Sequence, residues 1–506
     1  MNTRQHAASG LRLALLILFI LLQLSALAGV LLFFQKKFTW FYAACEVLSF
    51  LAALYILQED ENPSYKIPWI LVTLLLPLLG GPAYLLYGRV HPSRAERRRE
   101  AALIEQLDKA STHLPETACD VPPEMERQVD YLRRVAEAPV YANTQVEYFP
   151  EGDAFFAALL RELLTAERFI FLEYYIIHPG KLWDSVLEIL KEKARQGVDV
   201  RVAFDAVGCI ETLPPGFPAQ MELAGIACCA FNRFNSLLSA RFNNRDHRKI
   251  CVIDGRVGFT GGINLADEYA NLITRFGHWK DTAVLLRGEA VWSLTTAFLT
   301  MWGLMRDVHE DFRLYLPPSD CPPAPGLVQP FADTPRDQEP VGLTAYCNML
   351  AAARRYVWIT TPYLVPDHVL VTALTTAAKS GVDVRIVTPG VPDKKLVYRL
   401  TRSYYPVLLR AGVRIFEYTP GFLHAKQFLS DDRCAIVGTI NLDYRSLCHH
   451  YECAAWMCDV PALADIRADF EQLFPQCREI TPELSRRQSR GHRLLVAVLS
   501  IFSPML

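Results

Sequence analysis

Two stretches of the chain share one spacing: RDHRKICVIDG at 245–255 and FLHAKQFLSDD at 422–432. Each reads His-x-Lys, four residues, Asp, which singles out His247, Lys249 and Asp254, then His424, Lys426 and Asp431. Read as strands, these segments alternate their side chains between faces. His247, Lys249, Cys251 and Ile253 then share one side, with His and Lys roughly 6.6–6.8 Å apart along it. Asp254 falls at an odd offset and opens Asp-Gly, a hairpin-turn signal, and Asp431 opens Asp-Asp-Arg. The aspartates are therefore expected to fix hairpins or anchor the lysines, supporting a site without moving protons.

Each hairpin returns into a glycine turn that ends on Asn: TGGIN at Asn264 and VGTIN at Asn441. Glycine lets backbone approach a ligand closely, and an Asn amide can donate to a phosphate oxygen. Beyond these lie Asp281 in WKDT and Glu452 in YEC. An imidazole needs a partner on its second nitrogen to hold one tautomer, and these two acids are the candidates for that task. Two such sets facing each other give a pocket with two imidazoles and two ammonium groups, which suits a phosphodiester. One imidazole attacks phosphorus while the other protonates the departing oxygen from the opposite side, so a single imidazole does not suffice. The lysines stabilise phosphoryl charge where other enzymes use a metal, so neither a metal nor a cofactor is expected. His449 and His450 have no spaced partners and read as non-ligands.

The chain around these motifs repeats itself. ERFIFLEYYIIHPG at 167–180 matches RRYVWITTPYLVPD at 354–367, and each is followed by a helical stretch ending in GVDVR, at 197–201 and 381–385. Glycine followed by β-branched residues marks a helix-to-strand junction, and strands alternating with helices imply α/β layers. The period is too long for a solenoid, so this is a duplicated domain. The expected organisation is a membrane anchor at 1–90, a helical connector at 91–139 and a first α/β domain at 140–315. A proline-rich linker at 316–335, a second α/β domain at 336–480 and a basic-apolar segment at 481–506 complete it.

The chain has 506 residues, a net charge of −2 and a pI near 6.6, so no global charge advertises a nucleic-acid partner. Its 13 cysteines lack CxxC pairs and read as reduced thiols. The first ninety residues are strongly apolar. Leu13–Phe34, Phe38–Leu57 and Ile67–Tyr87 are each long enough to cross a bilayer, the last interrupted by Pro77 and Gly80-Gly81-Pro82. Arg89, Arg94, Arg97, Arg98 and Arg99 follow, so the positive-inside rule puts the remainder in the cytoplasm. A signal-peptide reading of the first segment, cleaved after Ala26-Leu27-Ala28, is the rival. RRQSRGHRLLVAVLSIFSPML at the C-terminus suits a segment lying on anionic headgroups.

These residues resemble the phospholipase D superfamily, whose members carry two HKD motifs on a pseudo-twofold pair of α/β/α domains, and within it the bacterial cardiolipin synthases. NRDHRKICVIDG, GGINLADEY, HWKDT, TTPYLVPD, LHAK and GTINLDYRS carry the likeness, which runs from about residue 62 to the C-terminus. The resemblance implies that His247, Lys249, Asp254, His424, Lys426 and Asp431 form one composite centre. It also implies transfer of a phosphatidyl group between two phosphatidylglycerol molecules, with His247 as nucleophile and His424 as acid, then base. Threonine in GTIN departs from the more usual serine but keeps a hydroxyl. Water, serine or ethanolamine as acceptor, or a tethered nuclease, are the alternatives within the superfamily.

Overall fold

A computed structural model describes residues 21–23, 25–26, 29, 37–59, 61–88, 94–112, 119–232, 244–306, 310–319, 321, 323–337, 339–483, 496 and 499–501. The chain divides into two compact units, 1–91 with 234–243 and 497–506, and 92–233 with 244–496.

The described residues of the smaller unit are helical. Lys37–Gln58 contains one stretch of 20 residues, Thr39–Gln58, long enough and apolar enough to cross a bilayer. The expected span Ile67–Tyr87 is not one helix. It is broken into Pro63–Leu75 and Gly80–Tyr87 because Pro77 pushes Leu76 out of the helical region, to φ −123° and ψ 70°. Gly80 packs where a Cβ would stand 2.4 Å from the Thr73 Cα. Ser49 Oγ donates to the Thr73 carbonyl, and the Trp69 and Tyr84 rings meet edge to face at 5.5 Å. Most of the expected first span, and most of 481–506, lie outside the described residues, as does 233–243.

The larger unit holds both repeats. In the first, β1 (Thr144–Phe149), β2 (Phe169–Tyr174), β3 (Asp199–Asp205), β4 (Ala227–Phe231), β6 (Lys249–Ile253), β7 (Val257–Gly261) and β9 (Ala283–Gly288) form one sheet. Its order is β1-β9-β7-β6-β2-β3-β4. Two short strands, β5 (Arg245–Asp246) and β8 (His278–Lys280), leave this sheet.

The second repeat contributes β10 (Leu327–Asp333), β11 (Tyr356–Thr360), β13 (Asp383–Pro389), β14 (Arg414–Tyr418), β16 (Gln427–Ser430), β17 (Cys434–Gly438), β19 (His450–Cys458) and β20 (Cys477–Glu479). Their order, β10-β19-β17-β16-β11-β13-β14-β20, retraces the first sheet strand for strand and adds one edge. β12 (Leu364–Val365) pairs with β18 (Leu442–Asp443), and β15 (Gly421–Leu423) stands apart.

β10 corrects the expected linker at 316–335. Its Pro330 is tolerated because the strand lies at a sheet edge, and from Leu327 to Asp333 it pairs with β19.

Each sheet is covered on both faces, giving the α/β/α layering that the repeat implies. Helices Gly152–Leu164 and Lys181–Arg195 cover the outer face of the first sheet, with Leu159, Trp183 and Val186 buried. Val341–Ala352 and His368–Lys379 cover the outer face of the second. One shared core fills the space between the sheets. Phe298 and Trp302 of helix Val291–Arg306 pack there with Phe171, as does Phe470 of helix Ala462–Leu473 with Trp358. All 13 cysteines are free thiols.

Candidate active site

Neither catalytic-type histidine sits in the strand expected for it. β6 begins at Lys249 and β16 at Gln427, leaving His247, His424 and Lys426 just before these strands. The reason is a crossed pairing. β5 runs parallel to β19, with Asp246 opposite Tyr451, and His247 N–H donates to the Tyr451 carbonyl at 2.9 Å. In the mirror arrangement β15 runs parallel to β8, with Leu423 opposite Lys280, and His424 N–H donates to the Lys280 carbonyl at 2.7 Å. Each histidine is thus bound through its main chain to the other repeat.

The next residue along the partner strand supplies the carboxylate. Both oxygens of Glu452 lie 3.0 Å from His247 Nδ1, and Asp281 Oδ2 lies 2.6 Å from His424 Nδ1. Both acids are fully buried. Asp281 and Glu452 therefore each lie against the imidazole of the opposite half. Ser446 Oγ donates to Glu452 at 2.5 Å and Thr439 Oγ1 also donates to it, so the carboxylate is fixed from three sides. In the first half Gly262 stands where Thr439 stands in the second. A Cβ there would lie 2.1 Å from Asp281 Oδ1, so this glycine accommodates the carboxylate.

The charges converge as well. Burial, then Lys249, Lys426 and His424, push the His247 imidazolium well below its ordinary range. His424 is lowered to about 4 by burial and Lys426, against the pull of Asp281. Burial lowers Lys249 to about 8 and Lys426 to about 7, while Asp281 and Glu452 act on both to keep them charged. Burial would raise Asp281, but His424 and Lys426 outweigh it and hold the acid below its usual value. With Nδ1 donating to a carboxylate, a neutral imidazole keeps its lone pair on Nε2. Lys249 Nζ donates to the His247 carbonyl at 2.5 Å, and Lys426 Nζ donates to that of His424 while lying 2.9 Å from its Nδ1.

The motif aspartates lie at the other ends of their hairpins, roughly 17 Å of strand away from the lysines. Asp254 and Asp431 adopt φ +53° and +56° in the turns. Asp254 accepts from the main-chain N–H groups of Glu167, Arg168 and Phe169 at 2.7–2.8 Å. Asp431 does the same for Arg354, Arg355 and Tyr356. They tie each hairpin to the strand beside it and do not touch the lysines.

Asn264 is buried, accepting from Ile176 N–H at 3.0 Å and donating to the Tyr269 hydroxyl at 2.7 Å. Asn441 Oδ1 is buried without a hydrogen-bond partner among the described residues.

One residue read as a bystander stands in the site. His450 shares a strand face with Glu452, its Nδ1 lies 3.5 Å from Glu452 Oε1, and its ring centroid is 5.5 Å from that of His247. An i, i+2 spacing on a strand was the signal for it. His247, His450 and Glu452 bring three ligand atoms within 4.8 Å of one another. The ammonium groups of Lys249 and Lys426 act on the same place, and their field suits an anion better than a cation. The surroundings of the two imidazoles differ. Tyr175 meets the His247 ring at 5.0 Å, whereas His424 is walled by Tyr269, Trp279 and Phe422 at 5.5–5.8 Å.

Comparison with known proteins matches residues 159–287 and 346–474 to the family model described as cardiolipin synthase, PLD-like domain. The chain belongs to this family. Residues 47–89 match a phospholipase D-nuclease N-terminal model. A cardiolipin synthase of Geobacillus kaustophilus is 36% identical over 468 residues, covering 92% of this chain and 93% of the relative. One from Halalkalibacterium halodurans is 32% identical, covering 92% and 95%. An uncharacterised protein of Streptococcus mutans is 42% identical, covering 90% and 99%. Among solved structures, phosphatidylserine synthase of Haemophilus influenzae aligns with a TM-score of 0.56 at 14% identity, over 76% of this chain and 98% of that one, and shares the fold of this family.

Proposed function

We propose that this chain is a cardiolipin synthase that moves a phosphatidyl group from one phosphatidylglycerol to another. The observation that carries the reading is the pair of imidazoles, each held by the opposite half's carboxylate, beside two buried lysines. His247 Nε2 attacks the phosphorus of the first lipid, and the P–O bond to glycerol breaks. His424, protonated at Nε2, gives its proton to the glycerol oxygen, leaving phosphatidyl-His247 and free glycerol. A hydroxyl of the second phosphatidylglycerol then loses its proton to His424 and attacks phosphorus, the P–N bond breaks, and cardiolipin departs. A bound phosphodiester anion offsets the lysine field and raises His424 toward protonation.

Lys249 and Lys426 hold the phosphoryl oxygens, with Asn264 and Asn441 as further donors. Asp254 and Asp431 support the hairpins. The membrane reading rests on the apolar helix and on the arginines from Arg89 to Arg99, which favour a multi-pass anchor with the catalytic unit in the cytoplasm.

Purified full-length protein in phosphatidylglycerol vesicles is expected to release one glycerol per cardiolipin without nucleotide. His247→Ala and His424→Ala should each abolish it. Dependence on a CDP-lipid donor, or phosphatidic acid as the main product, would overturn the assignment.

A further inference from the structure

The two repeats differ most beside His424. The stretch from Asn264 to Trp279 is six residues longer than its counterpart from Asn441 to His450. The shorter one folds as a helix, Tyr444–Cys448, with Tyr444 and Leu447 buried. The longer one makes a loop at 271–277 with adjacent apolar residues at its tip, Leu272 at 50% and Ile273 at 47% exposure. The loop is rigidly closed: Asn271, at φ +55°, accepts from Trp279 N–H at 2.7 Å and donates to the Trp279 carbonyl at 3.1 Å. Behind the tip, Phe276 packs on Trp279 and Phe422, and both of these rings lie against His424. Aromatic packing therefore runs from Phe276 of this loop to the imidazole.

A second loop abuts the same place. Val391 N–H donates to the Gly421 carbonyl at 3.4 Å, and Gly421 is paired with His278. That turn exposes Val391 together with Lys394 and Lys395. Lys394 Nζ lies 4.9 Å over the Tyr363 ring, and its charge reaches His247. Nearby anions are engaged, Asp393 by the Tyr363 hydroxyl and Glu268 by Arg275. Exposed aliphatics flanked by cations at the mouth of a site suit an anionic lipid surface.

We propose that these two loops seat the catalytic unit on the anionic leaflet that holds its substrate, Leu272 and Ile273 entering the acyl region and Lys394 and Lys395 the headgroup layer. The proposal rests on the lipid-substrate reading above and names a membrane contact separate from the N-terminal helices.

The test uses full-length protein with L272D/I273D against wild type. Cardiolipin formation is measured from phosphatidylglycerol vesicles and from a short-chain phosphatidylglycerol dissolved below its micelle concentration. The variant should lose at least tenfold in vesicles and stay within twofold on the dissolved lipid. Equal loss in both assays, or none in vesicles, overturns the proposal. In parallel, an environment-sensitive fluorophore on L272C should shift to the blue and be quenched by brominated phosphatidylglycerol. The same label on L223C, at a 91% exposed position leading into β4 from the opposite strand end, should not. Identical emission at the two sites overturns docking. Wild-type protein that makes no cardiolipin in either assay counts against the functional reading instead, and the fluorescence still decides the docking.

Discussion

His247 Nδ1 stands 3.0 Å from both oxygens of Glu452, although the two residues belong to different repeats. The mirror contact joins His424 to Asp281 at 2.6 Å. Glu452→Gln keeps the size of the side chain but removes the charge that fixes the Nδ1–H tautomer. Its kcat is expected to fall by about 10²–10⁴-fold. The melting temperature should change little. A matching collapse of both would make Glu452 a folding residue.

The lysines set the alkaline side of the pH profile. Burial lowers Lys426 to about 7 and Lys249 to about 8, and in the proposed reaction both hold the phosphate in their charged form. Their attraction is complete below these values and is lost as pH rises through them, so kcat/KM should decline above pH 7–8. Bound phosphodiester raises both values, which moves the fall in kcat to higher pH. Initial rates across pH 5–10 check this order. A kcat limb lying below the kcat/KM limb would contradict it.

Gly262→Ala tests the seat of Asp281. The added methyl would stand 2.1 Å from Asp281 Oδ1, so the carboxylate must move off His424. Activity should drop about 100-fold, the scale of losing positioned acid–base help. Nuclear magnetic resonance of the imidazole nitrogens should show the loss at His424 and leave His247 unchanged.

Asp254→Ala removes the acceptor of three main-chain N–H groups and should destabilise the unit by on the order of 2 kcal/mol. Asp254→Asn keeps one carbonyl oxygen and tolerates the positive φ, so it should melt between the two. Its kcat per folded molecule should stay near wild type. A 100-fold loss of kcat at unchanged stability would place Asp254 in the chemistry.

The repeat itself was legible, because alternating β-rich and helical stretches recur with the same junctions, and the two sheets follow them. The turn positions of the motif aspartates were legible too, since Asp-Gly and Asp-Asp announce left-handed backbone. Which carboxylate serves which imidazole was not. Sequence order places Asp281 nearer His247, yet the partner of His247 comes from β19, because strand pairing between repeats is a tertiary contact that no local pattern encodes. The same contact explains the misplaced strand starts: His247 and His424 give their main-chain N–H groups to the other repeat and so precede β6 and β16. His450 reads as a non-ligand because it lacks the His-x-Lys spacing, whereas its relevant neighbour, Glu452, lies two residues on along the same strand. Proline content disguised β10, whose edge position permits Pro330.

The reciprocal splice of β5 onto β19 and β15 onto β8 has a consequence for biosynthesis. A nascent chain that has emerged only as far as its first repeat holds a histidine with no acid behind it. Such a fragment is expected to be inert toward lipid. Activity should require the last strands of the second repeat, so a chain terminated before them is expected to cleave nothing.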